Sequence, residues 1–471
     1  MKFGFFSDLT KLWSVNKESR TKVLLLGMIF FFLSACQAIW RPLKSSFFAK
    51  IAGAEAIADA KLYVLLYIIP LLIFYSFLVD RLRRHQLLYV FSLFHGIGGI
   101  LFFALFSYYP ISAFQTNPYL YACGWSFYFL MESFSAFLST TFWSFANSVN
   151  TPGEAQQTYG FLVLGSKLGG IISAGSLYFA LNSVVSSAQS STITILPKTL
   201  LAGCLLLIAS ALAVAAIIKL VPKEQMRGYK DDKIEDETPQ ATTSESPKTS
   251  FFSAITDGLS NIIKYPYVAG ITTLVLLYEI MIEILNYRVL IAADAAYSSA
   301  EALTQYYALQ YMCMHGIGLF FVLFGTVPLQ RLSNIRVALF AFPLISSLFI
   351  SATYFWPTPY CFFITLVLIK ALNYAINHPT RETLYIPTSR AIRFKAKAWT
   401  DAFGSRAAKA TGSLFNIVTR SYGSVAVSQL SAVVNAIVIG TWLCIASGLG
   451  VAFVQTVKEK KVIGEETPKN Q

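Results

Sequence analysis

The sequence predicts an all-α integral membrane protein with twelve transmembrane helices in two pseudo-symmetric six-helix bundles. Three observations predict it. Hydrophobic residues make up 55% of the 471-residue chain and charged residues only 13%, too few to clothe a soluble protein of that size. Apolar stretches of about 20 residues, enough to cross roughly 30 Å of hydrocarbon, recur along the chain. A polar stretch at Pro222–Ser250, rich in Lys, Asp, Glu, Thr and Ser, divides them at the midpoint.

The first set of spans is placed near Val23–Trp40, Leu62–Val79, Leu87–Ser107, Tyr119–Phe142, Tyr159–Leu181 and Leu200–Val221. The second set is placed near Val268–Leu290, Leu303–Val327, Val337–Phe355, Tyr360–Asn377, Trp399–Tyr422 and Ala432–Val454. The predicted organisation is a tail over 1–22, a bundle over 23–221, a linker over 222–267, a second bundle over 268–455 and a tail over 456–471. Within the linker, Phe251–Lys264 reads as a short amphipathic helix at the membrane surface.

Lys and Arg placement gives the orientation. One side holds the basic N-terminus, Arg81-Leu82-Arg83-Arg84, the linker, Arg331, Arg336, the Arg390–Lys397 cluster and Lys458, Lys460 and Lys461. The other side has few basic residues beyond segment 41–61, so both termini are expected in the cytoplasm. The polar first 22 residues show neither the apolar core nor the small-residue cleavage site of a signal peptide. The expected location is a bacterial inner membrane. The net charge of +13 is spread over short segments between apolar runs. That spacing excludes nucleic acid as a partner and leaves the lipid bilayer.

The two halves resemble each other. Trp40-Arg41 and Tyr287-Arg288 close spans one and seven, Asp80-Arg81-Leu82 and Gln330-Arg331-Leu332 follow spans two and eight, and Gly165-Ser166-Lys167 matches Gly404-Ser405-Arg406. These pairs recur in order at nearly the same spacing, as in a duplicated chain. Two parallel six-helix repeats are the major-facilitator plan, with substrate bound between the halves near the midplane. Small residues recur every fourth position in spans five (Gly165, Gly169, Ser173) and eleven (Gly404, Ala408, Gly412). Close helix packing accounts for them without any chemistry, and a gating contact between the halves is the alternative.

Ionisable groups at membrane depth cost roughly 2.5–3.5 kcal/mol each and normally face a cavity or a partner. The candidates are Lys44 just past span one, Glu132, Lys167, Glu279 and Glu283, Lys370, and Arg406 with Lys409. Cations outnumber carboxylates, which suits an anionic solute bearing phosphate or carboxylate. Arg406 and Lys409 share a helix face and cannot pair with each other, which favours an anion ligand. Glu279 and Glu283 lie one turn apart with Asn286 on the same face. Two carboxylates that close in low dielectric do not both stay ionised, the arrangement of a proton-coupled carrier. For all these groups the alternative is inter-helix ion pairing that only fixes packing. Trp125 and Tyr128 are candidates for stacking on a base, with packing the plainer reading. His315 reads as a packed, hydrogen-bonded histidine, and the remaining three histidines are placed at loops or span ends.

The six cysteines all fall in apolar stretches without metal-ligand spacing. There is no phosphate-binding loop, nucleophile elbow or zinc motif. The expectation is therefore a carrier rather than an enzyme, with no cofactor and no metal, driven by a solute or ion gradient.

Several runs resemble a known family. They are Arg41-Pro-Leu-Lys44 with Ala54-Glu-Ala-Ile and Lys61-Leu-Tyr, and Phe142-Trp-Ser-Phe-Ala-Asn147 with Glu154-Ala155 and Tyr159. The most specific is Arg381-Glu382-Thr-Leu-Tyr385-Ile-Pro387, followed by Lys395-Ala-Lys397-Ala, Asp401 and Gly404-Ser-Arg-Ala-Ala-Lys409-Ala-Thr-Gly-Ser413. Together they resemble the bacterial and plastid ATP/ADP translocases, the nucleotide transport proteins, from about residue 20 to 455. The resemblance implies a nucleotide substrate. It also implies transport residues at Lys44, Glu132, Glu283 (or Glu279) and Lys409, the lysines binding phosphate oxygens and the glutamates pairing with them when the site is empty. Ser45 stands where the family has Asp after its first lysine. The family includes both ATP/ADP exchangers and proton-coupled nucleotide importers, so both readings stay open here.

Overall fold

In the computed structural model the described residues are 17–186, 195–222, 226, 251–324, 335–459 and 461–464. Most of the predicted linker, Arg331, Lys460 and most of both tails lie outside them. The described chain is helical throughout, apart from one isolated bridge between Thr388 and Ile463.

The helices in the first half are α1 Lys17–Ala52, α2 Ala56–Arg81, α3 Arg84–Tyr108, a short α4 Ile111–Thr116, α5 Pro118–Phe134, α6 Thr140–Val149, α7 Pro152–Ser186 and α8 Ile195–Leu220. After the linker come α9 Phe251–Lys264, α10 Pro266–Ala296, α11 Ala300–Phe324, α12 Ile335–Phe355, α13 Pro359–Leu372, α14 His378–Leu384, α15 Arg390–Trp399, α16 Ser405–Thr419 and α17 Ser424–Lys458. Within the described residues the predicted spans fall on this helical framework; the end of span eight, 325–327, lies outside them. Among the described residues, nine segments are long and apolar enough to cross a membrane. The remaining three predicted spans are α5–α6, α11 and α15–α16.

Three spans are interrupted by single π turns: Ser135–Ser139 after α5, Asn373–Asn377 after α13 and Thr400–Gly404 before α16. Such turns widen a helix locally and often sit at functional positions. Two of them occupy matching places in the two halves. Glu132 and Lys370 each lie one turn before the π turn of their span. No sequence pattern marks these turns.

The first span is longer than predicted. Apolar patterning stops at Trp40, but α1 continues through Pro42 to Ala52, with Ser46 Oγ donating back one turn to the Pro42 carbonyl at 2.9 Å. Lys44 therefore lies inside the helix and not past its end. Arg41, Lys44 and Lys50 on α1 and Lys61 on α2 are helix residues. Segment 41–61 is therefore mostly helix and not a basic loop.

The chain forms two compact units, Met1–Ala241 with Ala293–Gly325, and Thr242–Ala292 with Thr326–Gln471. Helix α11, assigned by sequence to the second bundle, groups with the first unit. In that unit α7 lies directly against α1, because a Cβ at Gly165 would come within 2.6 Å of the Gly27 carbonyl oxygen, and Gly169 sits equally close to the Phe31 carbonyl. Trp40, 2% exposed, fills the notch opposite Gly99 and Gly203 where α3 meets α8. In the second unit Gly412 of α16 lies 3.1 Å, at its Cβ position, from the Ile280 carbonyl of α10. The small-residue pattern thus admits backbone close to backbone in both units. The amphipathic helix α9 buries Ile262 against Ile392 and Ala396 of α15, so α15 takes part of the apolar face that the sequence assigned to the membrane surface.

The outer faces carry Leu66, Leu93, Leu205, Leu212 and Leu348, each more than half exposed. Large exposed aliphatics along whole helices are what hydrocarbon contact requires. Tyr108, Tyr119, Trp356 and Tyr360 are exposed at helix ends between α3 and α5 and between α12 and α13, the position of an interfacial aromatic belt. The protein is a multi-pass membrane protein.

Candidate functional site

The candidate residues separate into one cluster in each unit. In the first, Lys44 of α1 is ion-paired with Glu132 of α5. The lysine side chain is 12% exposed and the glutamate 34%, so the pair is largely withdrawn from solvent. Lys44 Nζ also lies 4.7 Å from the centre of the Tyr128 ring, whose quadrupole favours a cation over its face. The charged groups acting on the pair from outside are Lys61 and Arg41, both cationic. Positive charge therefore dominates around one carboxylate.

Arg41, one turn before Lys44, donates from Nη2 to Ser135 Oγ at 2.6 Å, and Gln37 donates to the same hydroxyl. Ser135 opens the π turn of the fourth span, so the turn is fastened to α1 beside the ion pair. Aromatic side chains flank the cluster. Phe48 stands edge-on to Trp125 at 4.9 Å and tilted to Tyr128 at 4.6 Å, and Trp125 is within 6.0 Å of Phe129 and 5.9 Å of Tyr63. Trp125, Phe129 and Glu132 follow one face of α5.

Lys167 and His315 belong to the same unit but to α7 and α11. The Lys167 chain runs over Gly318, where a Cβ would meet its Cε at 3.0 Å and Nζ at 3.2 Å, and the His315 ring fills the notch over Gly170. His315 is packed as the sequence reading expected, yet its Nδ1 is buried with no hydrogen-bond partner among the described residues. The placing of the other histidines needs correction for His95. It is fully buried within α3, with Nδ1 2.8 Å from the Phe91 carbonyl and Nε2 3.1 Å from Ser133 Oγ.

In the second unit Lys409 of α16 pairs with Glu279 of α10 at 3.6 Å, the lysine 49% and the glutamate 17% exposed. Glu283 is 3% exposed and presses its Cβ and Cγ on Gly412. Glu279 is thus in reach of the lysine, while Glu283 is buried with its stem against α16. Arg406 and Lys370 are partly buried in the same unit. Arg288, the repeat counterpart of Arg41, stacks on Tyr354 at 4.8 Å and Phe362 at 5.2 Å and donates to Ser428 Oγ at 3.3 Å.

Sequence reasoning did not single out three further ion pairs. Lys22, assigned to the N-terminal tail, is 1% exposed, and its Nζ lies 2.9 Å from Glu154 and 3.1 Å from the Val149 carbonyl. Lys50 bonds Asp294 at 2.6 Å and the Tyr297 carbonyl at 2.8 Å, joining the end of α1 to the end of α10. Lys397 of α15 bonds Glu382 of α14 at 2.6 Å. The signal for Glu154, Glu382 and Lys397 was present, because they stand in the matched motifs. Lys22 and Asp294 carried none.

The solved structures with a similar fold are membrane carriers. FucP, a major facilitator superfamily transporter in an outward conformation, matches at TM-score 0.52 with 16% identity over 92% of this chain and 99% of that one. A variant of the nucleoside transporter NupG matches at TM-score 0.55 with 12% identity over 92% and 99%. These likenesses show the major-facilitator fold. Curated relatives similar over nearly the whole length include ADP,ATP carrier protein 1 of Rickettsia bellii, 23% identical over 99% of both chains. ADP,ATP carrier protein 4 of Rickettsia felis is 24% identical over 96% of both. The model of the TLC ATP/ADP transporter family matches residues 3–358 and 358–453. The chain belongs to the TLC ATP/ADP transporter family.

Proposed function

We propose that the protein is an alternating-access carrier that exchanges ATP for ADP across a bacterial inner membrane, with twelve crossings and both termini in the cytoplasm. Lys44 in the first unit and Lys409 in the second bind phosphate oxygens. Glu132 and Glu279 hold these lysines while no nucleotide is bound. The observation that carries the reading is the Lys44–Glu132 pair inside α1 and α5, set among further cations. A phosphate group can replace the carboxylate at Lys44, with Lys61 and Arg41 left to compensate Glu132. Each lysine thus passes between two anionic partners.

Labelled ATP entering proteoliposomes tests this directly. Uptake should require ADP or ATP inside the vesicle and persist when the proton gradient is collapsed. Correctly inserted protein that moves no nucleotide would end the substrate reading. The second reading, proton-coupled nucleotide symport, draws on the adjacent acids Glu279 and Glu283. It would be favoured by uptake into empty vesicles that a protonophore stops. The Glu279–Lys409 pair speaks for exchange, because an acid held by a lysine serves a charge-compensating role without a proton.

A further inference from the structure

We propose that Arg41, Lys167 and His315 form a second anion subsite, beside Lys44, that takes the terminal phosphoryl group of the nucleotide. The proposal rests on the nucleotide-carrier reading and deepens it. The three side chains come from α1, α7 and α11, all within the first unit.

Two of them are interlocked. Lys167 lies over Gly318 of α11, and His315 lies over Gly170 of α7. Each glycine sits one turn beyond the partner's functional residue, so the ammonium and imidazole pass side by side through notches where no Cβ fits. Arg41 and Lys167 are the charged groups near enough to act on the ring. Arg41 spends one donor on Ser135, and a guanidinium has five N–H groups. His315 Nδ1 is buried with no partner among the described residues, and an occupant with oxygen atoms would supply one.

The donors come from three helices and carry up to two positive charges beside a neutral ring, which suits the higher charge and third oxygen of a terminal phosphoryl group better than a singly charged carboxylate. Arg41 precedes Lys44 by three residues, a rise of roughly 4.5 Å along the helix. That offset suits adjacent phosphates of one chain, the inner held by Lys44 and the outer by Arg41 with Lys167 and His315.

Equilibrium competition on purified full-length protein in lipid nanodiscs tests this. Labelled ADP is displaced by AMP, ADP, ATP, pyrophosphate and inorganic phosphate, for wild type and for Arg41→Gln, Lys167→Gln and His315→Gln. Wild type should bind ATP and ADP well above AMP. Each variant should lose about 10-fold or more for ATP, the worth of a hydrogen bond to a charged group, while AMP changes little. Lys167→Arg should restore part of the preference, since it keeps the charge. A variant that is folded, by its melting curve, and keeps the wild-type ratio of ATP to AMP would overturn the subsite. So would equal losses for AMP and ATP, the mark of a packing role. Inorganic phosphate displacing label as well as ATP does would assign the subsite to free phosphate and overturn the proposed occupant. Wild type that binds no nucleotide at all would instead defeat the carrier reading, a separate result. Should His315→Gln fail to fold, the Arg41 and Lys167 variants carry the test.

Discussion

Removing the charge of Glu132 while keeping its shape separates binding from turnover. In Glu132→Gln, Lys44 keeps its place over Tyr128 but loses its anionic partner, with Lys61 and Arg41 still acting on it. Breaking a fully buried ion pair costs about 3–5 kcal/mol. Glu132 is 34% exposed, and solvent screening brings the expected loss of stability down to about 1–2 kcal/mol. The same loss acts in the opposite sense on nucleotide binding. In the native protein phosphate must displace the carboxylate, whereas in the variant it meets a lysine already free. If the displaced pair is worth about 1 kcal/mol, ATP should bind about fivefold more tightly.

Exchange should nevertheless fall steeply, because nothing competes with phosphate for Lys44 when the nucleotide must leave. Two assays on one preparation decide it: equilibrium ATP binding with ATP-induced thermal stabilisation, and ATP/ADP exchange in proteoliposomes. The expected result is a lower melting temperature without ligand, a larger shift with ATP and slow exchange. A folded Glu132→Gln protein whose ATP affinity falls in step with its exchange rate would refute the reasoning. The carboxylate would then be contacting the nucleotide or its counter-ion, not standing in for it.

Four further outcomes follow from particular contacts. Gly165→Ala should lower stability by about 1–3 kcal/mol, since its Cβ would meet the Gly27 carbonyl at 2.6 Å. Gly160→Ala, on the same helix with nothing within 4 Å, should be neutral or stabilising, and equal melting curves for the two would disprove the close approach. Lys22→Met should destabilise more than the double variant Lys22→Met with Glu154→Gln, because the single change strands a carboxylate whose partner is 1% exposed; additivity in the cycle would show the pair does not couple. Trp125→Ala should weaken ATP by about 10-fold if the indole stacks on the base, without altering competition by inorganic tripolyphosphate. Equal losses for both would return Trp125 to packing. Asp294→Asn should free Lys50 and make a cysteine at the helix end react faster with a polar thiol reagent in Ala52→Cys with Asp294→Asn than in Ala52→Cys alone; unchanged rates would show that the pair does not hold the end of α1.

The spans were legible because a bilayer permits few solutions: backbone groups must be satisfied within each helix, and apolar length reports the crossing. The sequence reading failed where charge interrupts that signal. Span one was cut at Trp40 because Arg41 and Lys44 read as the start of a loop, whereas each has a partner in the fourth span, Ser135 and Glu132. Lys22 was given to a tail for the same reason, although Glu154 keeps it buried. A hydropathy window scores each residue alone and cannot register a partner more than eighty positions away. The π turns beside Glu132 and Lys370 were equally invisible, since no residue type demands one.

The site was legible in part for the complementary reason. Charged groups in apolar runs stand out by their cost, so Lys44, Glu132, Glu279 and Lys409 were found before any coordinate was known. What sequence could not supply was the pairing. Spacing on a single helix put Glu279 and Glu283 together and suggested a shared proton. In the fold Glu279 reaches Lys409, and Glu283 is buried with its stem against Gly412 of α16. A one-turn spacing fixes which face a carboxylate shares but not what that face meets, and in a membrane the partner decides whether an acid holds a lysine or carries a proton. That is why the lysine pairing, more than the presence of two acids, favours nucleotide exchange over proton-coupled uptake.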